Sequence, residues 1–266
     1  AMLIEPTETE SRATLDQLQI KNDIIFDKNA KIEDSIHYAQ RIQQAILPEK
    51  NAFKTFFPDH FIFYRPRDIV SGDFYWFAYS EPYILIAVVD CTGHGVPGAF
   101  MSVIGCNLLN QIVLEQGIQE PAAINTELDR RVRMALRQNQ PGHSNDGMDT
   151  AIVALNRHTY ELHFSGANRP LYVLSSNGFE EVKGARFPVG SGQYGEKHFP
   201  QHTTIIQPGD RFYLFSDGIT DQFGGQRRRK FTPQRLQLFV RTNHHMTMTA
   251  QYARFAALFD EWCGHE

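Results

Sequence analysis

The sequence predicts an α+β chain, in which a long N-terminal helix precedes antiparallel sheets and the remaining helices fall in separate runs. Three observations carry this. Apolar residues recur every seven positions near the N-terminus, at Leu18, Ile25, Ile32, Ala39 and Ile46, which is a helical period. Beyond Asp59, short apolar and aromatic runs follow one another across short turns, as in strands that pair with their sequence neighbours. Pro97 and Pro121 suit first helical turns. The chain has 266 residues, 42% hydrophobic and 12% aromatic, enough for a sizeable core in one large domain or two small ones.

The N-terminal element spans residues 7–47. A second seam runs through Leu15, Asn22, Asn29, Ile36 and Gln43, and the steps between the two seams alternate three and four, the coiled-coil pattern. Two readings follow: a coiled coil with a second copy, or a helix packed on its own domain. The polar seam positions weigh against a purely intramolecular core, because core asparagines set register and strand number at a cost in stability. Pro48 stops the helix. This divides the chain into a regulatory, coiled-coil helix over 1–48 and a folded domain over 49–266.

Strands are expected at residues 60–64, 74–77, 83–89, 151–155, 161–164, 171–174 and 211–215, and helices at 97–115, 121–137, 233–241 and 249–262. The helix runs into Pro48 shortly before the first of these strands, which offers a route from the helix to the residues beyond it. Residues 138–145 are a loop by composition, and the basic run 226–230 reads as solvated surface.

The formal net charge is −4, which favours neither nucleic acid nor an anionic membrane as partner. Cys91, Cys106 and Cys263 are scattered and odd in number. They argue against a disulfide framework and fit a reducing compartment, so the chain is expected in the cytoplasm. No apolar run reaches the roughly 18 residues of a membrane helix, and no signal segment opens the chain. Ala1-Met2 before a polar stretch reads as a cloning remnant, so a fragment of a longer protein is expected.

Three aspartates stand where strands end and glycines begin: Asp73 in Ser71-Gly72-Asp73, Asp90 in Asp90-Cys91-Thr92-Gly93-His94-Gly95, and Asp217 in Ser216-Asp217-Gly218. One Asp-Gly is ordinarily a turn. Three at the ends of strands that terminate together bring carboxylates together, and such a cluster repels itself unless cations fill it. Hard oxygen ligands select Mg²⁺ or Mn²⁺ over zinc, and two such ions are suited to activating water and clamping a phosphoryl group.

The segment from Asp90 to Met101 resembles the second motif of the metal-dependent protein phosphatases (PPM, type 2C) in their bacterial SpoIIE-type branch. The segment from Arg67 to Tyr75 resembles the branch's first motif, and that from Ser216 to Asp221 its late motif. The motifs occur in the family's order, and the likeness covers roughly residues 37–262. It implies an α-β-β-α sandwich of two mainly antiparallel sheets flanked by helices. It also implies a serine/threonine phosphatase using two Mn²⁺ or Mg²⁺ ions. Asp90 would bridge the ions, the Cys91 main-chain carbonyl would ligate one, Asp73 would hold an ion or its water, and Asp217 would complete the second site. Water activated by the ions would attack, not a cysteine. His94 takes the position proposed in some relatives to protonate the leaving oxygen; the alternative is a helix-start histidine with a local hydrogen bond. Arg67 would contact phosphate, with Arg65 competing for the role. Asp146 or Asp149 would touch a weaker third metal, or simply belong to a turn. The likeness points to a phosphorylated regulatory protein as substrate, such as a STAS-type anti-sigma factor antagonist; the seven-residue recurrence, for its part, predicts a homodimer through the N-terminal helix.

In one respect the sequence departs from the family. Members usually carry a further aspartate pair in a C-terminal strand. The segment from Phe259 to Gly264 resembles the approach to that strand, and the sequence ends at Glu266. This departure leaves a pseudophosphatase binding module as the second reading, and a dimeric scaffold acting through its N-terminal helix as a third.

Overall fold

A computed structural model of the chain describes residues 8–138, 140 and 144–264. Helix α1 runs Glu8–Ile46. Its seam divides in two. Ile36, Ala39 and Ile46 are half-buried and Gln43 is buried, whereas Leu15, Leu18, Ile25 and Ile32 are 51–63% exposed. The last turns thus pack on the domain, and the earlier turns present a bare apolar stripe.

A short helix α2 (Lys50–Lys54) leads into residues 60–66, which join no sheet. The strand expected at 60–64 is corrected here. Phe61 packs on Tyr252, and Phe63 packs on Tyr252, Phe255 and Phe259, so ring packing rather than ladder hydrogen bonds fixes the segment.

Strands β1 (Phe74–Ser80) and β2 (Tyr83–Cys91) form a hairpin, followed by helices α3 (Gly95–Asn110) and α4 (Pro121–Ala135). Helix α3 continues through a wider π-type turn, Gln111–Glu115. Next come β3 (Gly147–Asn156), β4 (Glu161–Ala167), β5 (Leu171–Ser175), β6 (Gly178–Val182), β7 (Val189–Gly190), β8 (His202–Ile205) and β9 (Arg211–Tyr213). The chain closes with α5 (Asp217–Thr220), the small hairpin β10 (Phe223–Gly224) and β11 (Arg229–Lys230), α6 (Pro233–Asn243) and α7 (Met248–Cys263). Strands β6, β7 and β8 were not anticipated; they are short or carry few apolar residues.

Among the described residues the named strands pair only antiparallel, with isolated parallel bridges at Thr150–Asn168 and Ala167–Ala185. One sheet has the order β1-β2-β3-β4-β8, with β7 beside the start of β3, and the other has the order β6-β5-β9. The alternation along β2 assigns the layers. Leu85, Ala87 and Val89 face a core shared with Leu109 of α3 and Ile124 and Leu128 of α4. Ile84 faces the opposite core, with Val153 and Phe164, against Leu171 and Val173 of the second sheet. Tyr172 then turns outward to Phe239 of α6 and Phe255 of α7. The order is helices, sheet, sheet, helices, the α-β-β-α sandwich.

The stretch Gly95–Glu115 is long and apolar enough by composition to cross a membrane, but half of it is buried in the domain, so core packing accounts for its character.

Candidate active site

The alternation that builds the core also aims the acids. Asp90 shares the β2 face of Ile84, so it points into the layer between the sheets at its open end. Asp149 shares the β3 face of Ala151 and Val153 and stands directly opposite Asp90 in the ladder. Asp73 immediately precedes β1, and Asp217 opens α5 just after the second sheet's last strand. The main-chain N–H of Asp217 lies 3.4 Å from Asp90 Oδ2. The Ser216 hydroxyl donates to Asp73 Oδ2, and the Tyr64 hydroxyl donates to the Asp73 carbonyl at 3.1 Å. Asp73, Asp90 and Asp217 line one cleft of about 1220 Å³.

The loop after Asp90 is held by close backbone approach. Gly93 has a φ of 89°, a conformation that suits glycine. A Cβ on Gly98 would come 2.5 Å from the Gly93 carbonyl oxygen, and one on Gly72 would come 2.7 Å from that oxygen and 3.2 Å from the Cys91 carbonyl oxygen. Glycines at both positions thus let the Asp73 and Asp90 loops touch. Thr92 completes the fixing: its N–H donates to the Gly147 carbonyl at 2.9 Å, and its hydroxyl accepts from the Gly147 N–H at 3.0 Å.

Burial lifts the Asp90 carboxyl to about 8, with the charges of Asp73 and Asp217 adding to the effect and Arg169 opposing it. Burial likewise raises Asp73. Because Asp90 binds its proton more tightly folded than unfolded, metal-free stability should fall as pH rises from about 4 to about 8. Thermal midpoints in chelator across that range check this, and Asp90→Asn should flatten the profile.

Among the described residues no group of three His, Cys, Asp or Glu side chains forms a ready metal cage. The acids are instead bridged by the Arg169 guanidinium, whose Nη2 lies 2.6 Å from Asp149 Oδ2, 2.6 Å from Asp217 Oδ2 and 3.4 Å from Asp90 Oδ2. The donor set still fits a hard divalent ion. It is all oxygen and rich in charge, and burial with the charges of Asp73 and Asp217 destabilises Asp90 as an anion; such sites are commonly completed by carbonyls and water.

His94 is the N-cap residue of α3, but its hydrogen bond is not local. Its Nδ1 lies 2.9 Å from Asp68 Oδ2, in the loop before Asp73. Arg67 is exposed on the cleft wall, while Arg65 is engaged by Asp260 of α7 and lies over the Phe63 ring. Of the two arginines, Arg67 is the one left open to the cleft. Cys91 is buried, and burial, then neighbouring carboxylates, push its thiol well above its ordinary value. Asp149 lies on β3 and not in a loop, because the strand starts at Gly147; Asp146 accepts from the Ser144 hydroxyl.

Sequence reasoning missed Arg169 and Gln43. Asn168-Arg169-Pro170 lies in the β4–β5 connection, and its polar pair before a proline looks like ordinary turn chemistry. Gln43 read as a seam position. In the structure its amide donates to the Ser71 carbonyl at 2.6 Å and to the Ser102 hydroxyl at 2.7 Å, and accepts from the Ser71 N–H at 3.1 Å.

The sequence profile of Stage II sporulation protein E (SpoIIE) matches residues 80–266. Phosphoserine phosphatase RsbU of Bacillus subtilis (strain 168) is 29% identical over 199 residues, 72% of this chain and 55% of RsbU, so the chain spans about half the length of that curated relative. The SiaA-PP2C domain of Pseudomonas aeruginosa superposes with a TM-score of 0.80 at 34% identity, covering 90% of this chain and 93% of that one. A structure containing the PP2C phosphatase domain and a regulatory-domain fragment of Bacillus subtilis SpoIIE gives 0.53 at 19% identity, over 71% of this chain and 54% of that one, a likeness of fold. With motifs, layer order and profile in agreement, the chain belongs to the SpoIIE family of PP2C-type serine/threonine phosphatases.

Proposed function

We propose that this chain hydrolyses phosphoserine or phosphothreonine on a regulatory protein, and that Asp73, Asp90, Asp217 and the Cys91 carbonyl hold two Mn²⁺ or Mg²⁺ ions. The observation that carries the reading is the convergence of the three aspartates from separate elements on one cleft, where burial and its neighbours raise the Asp90 carboxyl to about 8. When bound, the ions lower the pKa of water and neutralise phosphoryl charge. Ser216 and Tyr64 orient Asp73. Arg67 binds phosphate oxygens. His94, oriented by Asp68, delivers a proton to the leaving oxygen. The raised Cys91 thiol takes no part as nucleophile. RsbU, a phosphoserine phosphatase by name, supports a phosphoprotein substrate, for which a STAS-type anti-sigma factor antagonist in the cytoplasm is our choice.

The test is hydrolysis of a phosphoserine protein and of p-nitrophenyl phosphate. Turnover is expected with Mn²⁺ or Mg²⁺ and none in chelator. Unchanged turnover in excess chelator would sink the metal mechanism, and metal binding without turnover would favour the pseudophosphatase module.

Residues 1–48 act in this proposal as a regulatory helix that dimerises the protein through its bare stripe. Residues 60–64 reach the site only through the Tyr64 hydroxyl on the Asp73 carbonyl, and a second link starts from α1 itself. In that link Gln43 grips Ser71, whose hydroxyl accepts from the Asp73 N–H at 3.1 Å.

A further inference from the structure

Arg169 holds its carboxylate partners unevenly. Asp149 is gripped by both Nε, at 3.1 Å, and Nη2, at 2.6 Å, and its other oxygen accepts from Asn168 Nδ2 at 2.8 Å. Asp217 receives a single bond, at 2.6 Å, and its side chain is 45% exposed. Asp90 stands 3.4 Å away. The firm end of the guanidinium therefore lies on β3, and the weak end faces the cleft.

The backbone beneath Arg169 is fixed. Asn168 adopts a φ of 58°, and its N–H donates to the Ala185 carbonyl at 2.7 Å. The Arg169 carbonyl packs so closely on Gly166 and Gly184 that a Cβ on either would come 2.1 or 2.7 Å from its oxygen. The loop has no room to withdraw toward those glycines, so the freedom left is in the side chain. Only 13% of that side chain is exposed, so its charge is poorly screened by water.

We infer that Arg169 is the site's own counter-cation: its guanidinium neutralises Asp149 and Asp217 and stands beside Asp90 in the metal-free protein, and a divalent ion gains Asp217 and Asp90 by displacing it, while Asp149 keeps hold of it. This rests on the metal-dependent reading above. A guanidinium and a divalent ion that share two carboxylates in a half-buried cleft repel one another, so each weakens the other's binding. Arg169 keeps the acids from splaying apart without metal, and in doing so raises the concentration of metal the site requires.

Calorimetric titration with Mn²⁺ and thermal midpoints in chelator test this on wild type, Arg169→Gln and Arg169→Lys, all purified with Mn²⁺. Arg169→Gln should bind Mn²⁺ about tenfold more tightly or better. In chelator it should melt below wild type, and at saturating Mn²⁺ it should recover. Arg169→Lys keeps the charge but cannot fork between Asp149 and Asp217, so it should shift the same way by less. Wild type that binds Mn²⁺ with neither variant tighter would overturn the counter-cation alone. Wild type that binds no Mn²⁺ would overturn the metal-dependent reading and this inference together.

Discussion

Asp90→Asn should abolish phosphatase turnover, by about a thousandfold or more in kcat/KM, on the scale of losing a group that stabilises transition-state charge. The carboxylate sits at the end of β2 between Asp73 and Asp217 and feels both charges. As the proposed bridge it serves both ions, so neutralising it weakens both at once. Calorimetry should show Mn²⁺ binding lost in parallel, which separates a ligand from a residue needed only for chemistry. The fold should survive: a carboxyl raised to about 8 is a native-state burden once ionised, so the amide variant should equal or exceed wild type in chelator at alkaline pH. Cys91→Ala belongs in the same experiment and should keep most activity, because only the main-chain carbonyl at that position is used. If thiol-blocking reagents or Cys91→Ala stopped catalysis while Mn²⁺ still bound, a cysteine mechanism would have to be reconsidered.

Deletion of residues 1–30 should convert a dimer into a monomer and change specific activity. Leu15, Leu18, Ile25 and Ile32 are all at least half exposed along one face of α1, well away from the turns that pack on the domain. A stripe at seven-residue spacing is covered most simply by a second copy of itself. Asn22 and Asn29 lie on that seam and can pair across a two-fold axis, whereas burial without a partner would cost a few kcal/mol, roughly. Any change in how α1 lies on the domain reaches Ser71 through the buried Gln43 amide, one hydrogen bond from Asp73. Sedimentation of the intact chain as a monomer at micromolar concentration would refute the dimer, and the regulatory proposal would fall with it.

What was legible in the sequence was recorded in near neighbours. The seven-residue recurrence predicts α1, Pro121 marks the start of α4, and apolar runs giving way to glycine-bearing turns place Asp73 and Asp90 at strand termini and Asp217 just beyond β9. Helix period, strand alternation and turn chemistry are local, so a linear reading recovers them. Partner choice is not local. Residues 60–64 have the composition of a strand, yet rings on α7, almost 200 positions away, hold them outside any sheet. The choice between Arg65 and Arg67 rests on Asp260, equally distant in sequence, which engages the first and leaves the second open. Asp149 reads as a loop residue until β3 pairs with β2 and sets it opposite Asp90. Arg169 carries no motif, because a guanidinium becomes a counter-charge only where folding has already gathered the carboxylates around it. The acids and the helix could be read along the chain; which charges meet, and which face of the helix stays bare, was decided by long-range packing.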